Sequence, residues 1–121
     1  MQQQTLNNMV EKLACDRFKL EYVNGLIDAW DERKNPVEIK SCEKWISAGS
    51  AGRRPGRFRF MPGQLEFLKH HGGSVVFGVV FGAMVIFYRV PATSLPNQMM
   101  ISRTVIEARF RKNTQASLKV A

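Results

Sequence analysis

Gly25-Leu26-Ile27-Asp28, followed after a polar turn by Pro36-Val37-Glu38-Ile39-Lys40, is the stretch whose reading decides the fold. On a strand, residues two apart share a face. Glu38 and Lys40 therefore point to one side, and Val37 and Ile39 to the other. Leu26–Trp30 reads as the preceding short strand, with Asp28 near its end, and Asp31–Asn35 as the turn between them. Pro36 suits the first position of the third strand, Val37–Cys42, where its missing N–H does least harm.

If the two strands pair, Asp28 and Glu38 converge on one divalent cation. Mg²⁺ is small and hard and prefers carboxylate and carbonyl oxygen; the backbone carbonyl of Ile39 is a further candidate ligand. A metal held this way lowers the pKa of its water and neutralises charge on a phosphoryl group. Lys40, kept cationic by two acids, can orient the attacking water or offset the developing charge. Glu-x-Lys by itself is a common tripeptide and usually a solvated strand face carrying a surface ion pair. Its context gives it weight: an Asp ten residues upstream, an amphipathic helix before, and a helix bearing Gln64 and an apolar strand after.

Outward from this centre, Leu6, Met9, Val10 and Leu13 recur at helical spacing, with Thr5 as the cap. That helix should fade near Asp16–Arg17, before a strand over Phe18–Val23 and a turn at Asn24–Gly25. The stretch SAGSAGRRPG, residues 47–56, cannot pack a core and is predicted as a mobile basic loop. Arg57-Phe58-Arg59-Phe60 alternates as a short edge strand would. Pro62 suits the first turn of a second helix that ends at Gly72–Gly73. Ser74–Phe81 and Met84–Val90 are apolar strands joined through Gly82–Ala83. Ile101–Lys112 is predicted as a third helix, and Asn113–Ala121 as a loose tail. The sum is a single α/β domain over residues 1–121, with a core over about 5–90, an extension over 91–121, and a central mixed β-sheet flanked by helices.

The charge is divided along the chain. Residues 1–43 hold six Lys/Arg against eight Asp/Glu, and residues 44–121 hold twelve against two. A basic surface of this size suits a polyanion, because phosphates attract Lys and Arg and release counterions on binding. Arg53, Arg54, Arg57 and Arg59 are the candidate phosphate contacts. Trp30 and Trp45 could stack on bases, although packing is their commoner role. Cys15 and Cys42 have no CxxC spacing and read as reduced thiols of an intracellular, cytoplasmic protein. Val75–Val90 is short for a membrane span and is interrupted by Gly78 and Gly82, so no membrane is expected.

Taken together, residues 6–90 resemble the PD-(D/E)XK nuclease superfamily, and most closely its small archaeal Holliday junction resolvases. Asp28 matches the family's metal-binding Asp, Glu38 its second acid and Lys40 its catalytic lysine. Gln64 resembles the glutamine many members place on the following helix, and Glu11 the acid on the first helix. Ile27 stands where the motif's proline would, and Val23-Asn24-Gly25 is shorter than the corresponding resolvase segment. The resemblance implies a restriction-endonuclease-like fold, Mg²⁺ or Mn²⁺ as cofactor, endonucleolytic cleavage of DNA, including branched DNA, and a two-fold homodimer. The alternatives are a restriction- or repair-type nuclease of the same superfamily, or a non-catalytic nucleic-acid-binding module.

Overall fold

In the computed structural model, which describes residues 3–23, 25, 27–111 and 114–119, the first element is helix α1, Gln3–Phe18. Its apolar stripe buries Leu6, Val10 and Ala14 against the sheet. Each fully buried aliphatic side chain of this kind stabilises the fold by about 1.5–3 kcal/mol. Thr5, expected at the start of the helix, lies within its range. Phe18 also belongs to α1, so the strand expected from Phe18 shrinks to β1, Glu21–Tyr22. The edge-on contact of the Phe18 ring with Phe87, at 5.8 Å, accounts for the longer helix. Lys19 then turns the chain with a left-handed backbone, φ 55°.

Strands β2, Ala29–Trp30, and β3, Pro36–Glu43, continue an antiparallel meander. Their turn is built by Asp31, whose Oδ1 accepts the N–H groups of Arg33 and Asn35, both at 2.9 Å. Its other oxygen pairs with Arg89 at 3.3 Å, so Asp31 is a turn-builder. The predicted basic loop is instead a hairpin: β4, Trp45–Ser47, pairs with β5, Arg53–Pro55. Strand β6, Arg57–Arg59, follows, and then helix α2, Gln64–His70. Pro62 precedes α2, and Gly63 occupies its N-cap. Strands β7, Ser74–Phe81, and β8, Met84–Pro91, are the expected hairpin.

The predicted third helix divides. Met100–Ser102 forms β9, antiparallel to β6, and only Arg103–Arg109 is helical, as α3. Ile101 is buried opposite Phe58, and this tertiary pairing overrides the helical pattern. Ser102 caps α3 through its hydroxyl, which accepts from Thr104 N at 3.3 Å. The segment expected to be a loose tail contributes β10, Thr114–Lys119, paired with β8.

The main sheet runs β1-β2-β3-β7-β8-β10, with β3 and β7 parallel and the other neighbours antiparallel. A parallel pair needs a crossover, and α2 lies within the one joining β3 to β7. Two apolar layers result. On the α1 side lie Val37, Ile39, Val76 and Val80; on the other lie Phe58, Phe60, Leu68, Phe77 and Ile106. Gly78 lets α1 approach closely, since a Cβ there would stand 2.9 Å from Val10 Cγ1. The chain thus forms a single small α/β domain with a central mixed sheet flanked by helices, consistent with a restriction-endonuclease-like fold. Both faces of the β7–β8 hairpin are covered by the chain itself, leaving Phe81 and Met84 exposed at its tip. No helix among the described residues is long and apolar enough to cross a membrane.

Candidate active site

Pairing between β2 and β3 spans only Ala29 with Val37 and Trp30 with Pro36. Past Val37 that edge of β3 loses its partner strand, and Asp28 stands at this break. Its Oδ2 accepts the N–H of Ile39 at 2.8 Å, as a backbone carbonyl would in a continuing ladder. In return the N–H of Asp28 donates to Glu38 Oε1 at 3.2 Å. The N–H and C=O of one strand residue face the same edge, so the Ile39 carbonyl shares the open edge with Asp28.

Glu38 is the most buried acid of the site, 4% exposed. Its Oε2 pairs with Lys40 Nζ at 3.1 Å and accepts a hydrogen bond from Gln64 Nε2. The other end of the Gln64 amide accepts the N–H of Met61 at 3.1 Å. That second bond turns the donor end toward Glu38. Lys40 Nζ also lies 5.2 Å from the centre of the Phe60 ring. Alternation along β3 therefore puts Glu38 and Lys40 on the face opposite Val37 and Ile39, with α2 delivering Gln64 to the same acid.

Burial and the neighbouring Asp28 push the Glu38 carboxyl up to about 7, with Lys40 pulling the other way. Glu11, reaching in from α1, is also raised, by burial and then by Asp28, again opposed by Lys40. Two facing carboxylates in a partly dry site repel each other, and a hard divalent cation removes that repulsion. The donor set fits such an ion: Asp28, Glu38 and the Ile39 carbonyl, with water completing the shell as Mg²⁺ prefers. Among the described residues no group of three or more His, Cys, Asp or Glu side chains is gathered for a metal.

Glu11, Asp28, Glu38, Ile39, Lys40, Arg57 and Arg59 line one open cleft of about 330 Å³. Arg57 and Arg59 alternate with buried Phe58 on β6, which places both guanidinium groups toward solvent. Arg53 and Arg54 sit on the β4–β5 hairpin, outside the lining of the cleft. Trp45 carries Arg103 over its ring at 4.7 Å and Arg53 at 5.7 Å, so its ring is engaged in packing. Trp30 is half-buried against the α2-side core.

Two residues of this region, Asn7 and Ser41, escaped the sequence reading. Asn7 lines the cleft one helical turn before Glu11, a spacing that could have drawn attention to it. Ser41, beside Lys40, donates to Asn7 Oδ1 at 2.8 Å and closes one wall. Arg103, 5% exposed, donates to the Lys44 carbonyl at 2.6 Å and pairs with Glu107, which ties α3 to the end of β3.

A family model for the PD-(D/E)XK nuclease superfamily domain matches residues 2–117. The chain belongs to the PD-(D/E)XK nuclease superfamily. No curated protein and no solved structure matches it. Asp28 at the ladder break and Glu38-Ile39-Lys40 on β3 lie within the matched residues. Members typically use divalent metals, in keeping with the paired acids.

Proposed function

We propose that this chain is a Mg²⁺- or Mn²⁺-dependent endonuclease that hydrolyses DNA phosphodiester bonds, with branched DNA of the Holliday-junction kind as substrate. One observation carries the reading: Asp28, Glu38 and Lys40 meet at the end of a broken strand ladder, in a cleft rimmed by Arg57 and Arg59, with buried Gln64 bonded to Glu38. Asp28, Glu38 and the Ile39 carbonyl would hold the metal, which when bound supplies Lewis acidity and an activated water. Lys40, its amine fixed by Glu38 and the Phe60 ring, donates to the attacking water or to a phosphoryl oxygen as charge develops. Gln64 keeps Glu38 aimed by holding one of its oxygens. Arg57 and Arg59 bind the phosphates that flank the cut, and Arg53 and Arg54 extend the basic track along the hairpin. Glu11 joins the acids as a positioning group at the cleft edge.

Symmetric cutting of a four-way junction calls for a two-fold dimer, and Phe81 and Met84 at the β7–β8 tip offer it an apolar contact. The protein would act inside the cell, on DNA in the cytoplasm. The test is cleavage of a labelled four-way junction and its matched linear duplex, in Mg²⁺, Mn²⁺ or EDTA, with the native chain and Lys40→Ala. Metal-dependent symmetric nicking of the junction, lost in the variant, is the expected result. Cutting of both substrates would move the chain to a restriction- or repair-type nuclease. Binding without cutting in either metal would make it a non-catalytic module.

A further inference from the structure

A second recess opens beside the cleft, and Glu11 belongs to both. It measures about 410 Å³ and is lined by Asn8, Glu11, Lys12, Cys15 and Tyr22. That volume lies within the range of small-molecule sites, about 300–1,000 Å³. Tyr22 forms one wall. It is 55% exposed on the two-residue edge strand β1, and its cross-strand partner is Ala29, next to Asp28. The other exposed aromatic side chains already carry cations: Trp45 has Arg53 and Arg103, and Phe81 has Lys44 at 4.9 Å. Among the described residues, no ring or cation lies against the face of Tyr22.

We infer that Tyr22 is a stacking platform for an unpaired nucleobase next to the phosphate that is cut, with Lys12 beside it for the adjoining phosphate. The inference rests on the nuclease reading and adds to it that a base beside the cut leaves its stack, as a branch point permits. The recess offers a flat aromatic wall in Tyr22 and charged groups in Glu11 and Lys12. Burial, Glu11, Asp16 and Asp28 hold the Cys15 thiol up to about 11, so that wall is uncharged at neutral pH. Glu11 and Asp28 likewise keep the Tyr22 phenol protonated, above its usual range. A base must leave its helical stack to lie on the ring, which a branch, flap or single strand permits and an intact duplex resists. Stacking does not depend on base identity, so the recess selects structure over sequence.

The experiment uses the full chain in EDTA and a flapped duplex with 2-aminopurine placed in turn at each unpaired position next to the branch. Native chain and Tyr22→Phe should quench one position, and Tyr22→Ala should not. Affinity for the flap should fall about 5- to 100-fold in Tyr22→Ala, the usual effect of losing one aromatic stack, while affinity for matched duplex stays level. Quenching by Tyr22→Ala equal to native, or no quenching by the native chain at any position, overturns the inference. Cleavage in Mg²⁺ separates the two readings. Native quenching without cutting removes the nuclease and leaves the platform; cutting that Tyr22→Ala leaves unchanged removes the platform and leaves the nuclease.

Discussion

Replacing Glu38 by Gln should remove most of the pH dependence of the metal-free protein's stability while abolishing its activity. The Glu38 carboxyl is raised from 4.5 to about 7, chiefly by burial and then by Asp28. An acid raised in the native state binds its proton more tightly folded than unfolded. Between pH 4.5 and 7 the native state therefore holds more protons, and stability falls as pH rises through that window before levelling above it. A displacement of that size corresponds to about 3 kcal/mol, or on the order of 10 °C in Tm for a domain of this length. Glutamine has nothing to ionise, so Glu38→Gln should flatten most of the slope, although its amide can no longer accept from Asp28 N and from Gln64 and Lys40 together. Glu11 is raised in the same direction, so a shallower slope should remain. Thermal melts in EDTA from pH 5 to 8 read this directly. Adding Mg²⁺ at pH 7.5 should then raise the native Tm and leave the variant nearly unmoved, since an ion bound only to the folded state adds about 2.7 kcal/mol at a hundred times its Kd. A variant with the native pH slope, or one equally stabilised by Mg²⁺, would refute the reasoning.

Gln64→Leu removes the donor that holds Glu38 and should lower kcat with little change in KM for DNA; steady-state cleavage against substrate concentration separates the two. The same variant should push the metal-free pH window of instability upward, because Glu38 loses a bond to its charged form. Arg57→Ala and Arg59→Ala should each reduce the slope of log K against log salt by about 0.7–0.9, measured by fluorescence anisotropy across a salt series. Gly56→Ala should cost about 3 kcal/mol, the upper end of the overpacking range, in urea unfolding. Its Cβ would lie 1.9 Å from the Glu43 carbonyl, where backbone must move.

How much of this was legible in the sequence depends on the range of the contacts involved. Period-2 alternation at Val37–Lys40 and Arg57–Phe60 is local, and each side chain lies on the face it predicts. The Ser74–Val90 hairpin was equally plain, since two β-branched runs flank Gly82–Ala83. The β4–β5 hairpin was not, because residues 47–56 are small and polar and it is held from a distance. Arg103, 59 residues from Lys44, bonds its carbonyl and lies over Trp45. Strand β10 was missed for a similar reason: Thr114–Lys119 has little apolar alternation and gains its state by pairing with β8. At the site, residue types and spacing brought forward Asp28, Glu38 and Lys40, whereas Gln64 and Glu11 entered only through family resemblance. Ser41 and Asn7 required the fold, because their bond joins α1 to β3 across 34 residues.

The position of the acids follows from an unfinished ladder. Had β2 continued alongside β3, the N–H of Ile39 would be bonded to a carbonyl and Asp28 would have no reason to face inward. Because pairing stops at Val37, the Asp28 carboxylate takes the place of the missing strand and is brought beside Glu38. On its other edge β3 stays paired with β7 through Glu43, so past Val37 the segment bearing Glu38 and Lys40 keeps a strand partner on that edge. The basic rim depends on the far end of that strand. Gly56 N donates to the Lys44 carbonyl at 3.1 Å and accepts Arg103 N at 3.0 Å through its own carbonyl. This junction turns the chain from the hairpin into β6 and fixes the start of Arg57-Phe58-Arg59. The same strand thus anchors the acids near its beginning and the arginines near its end, which is why residues so far apart in sequence line one cleft.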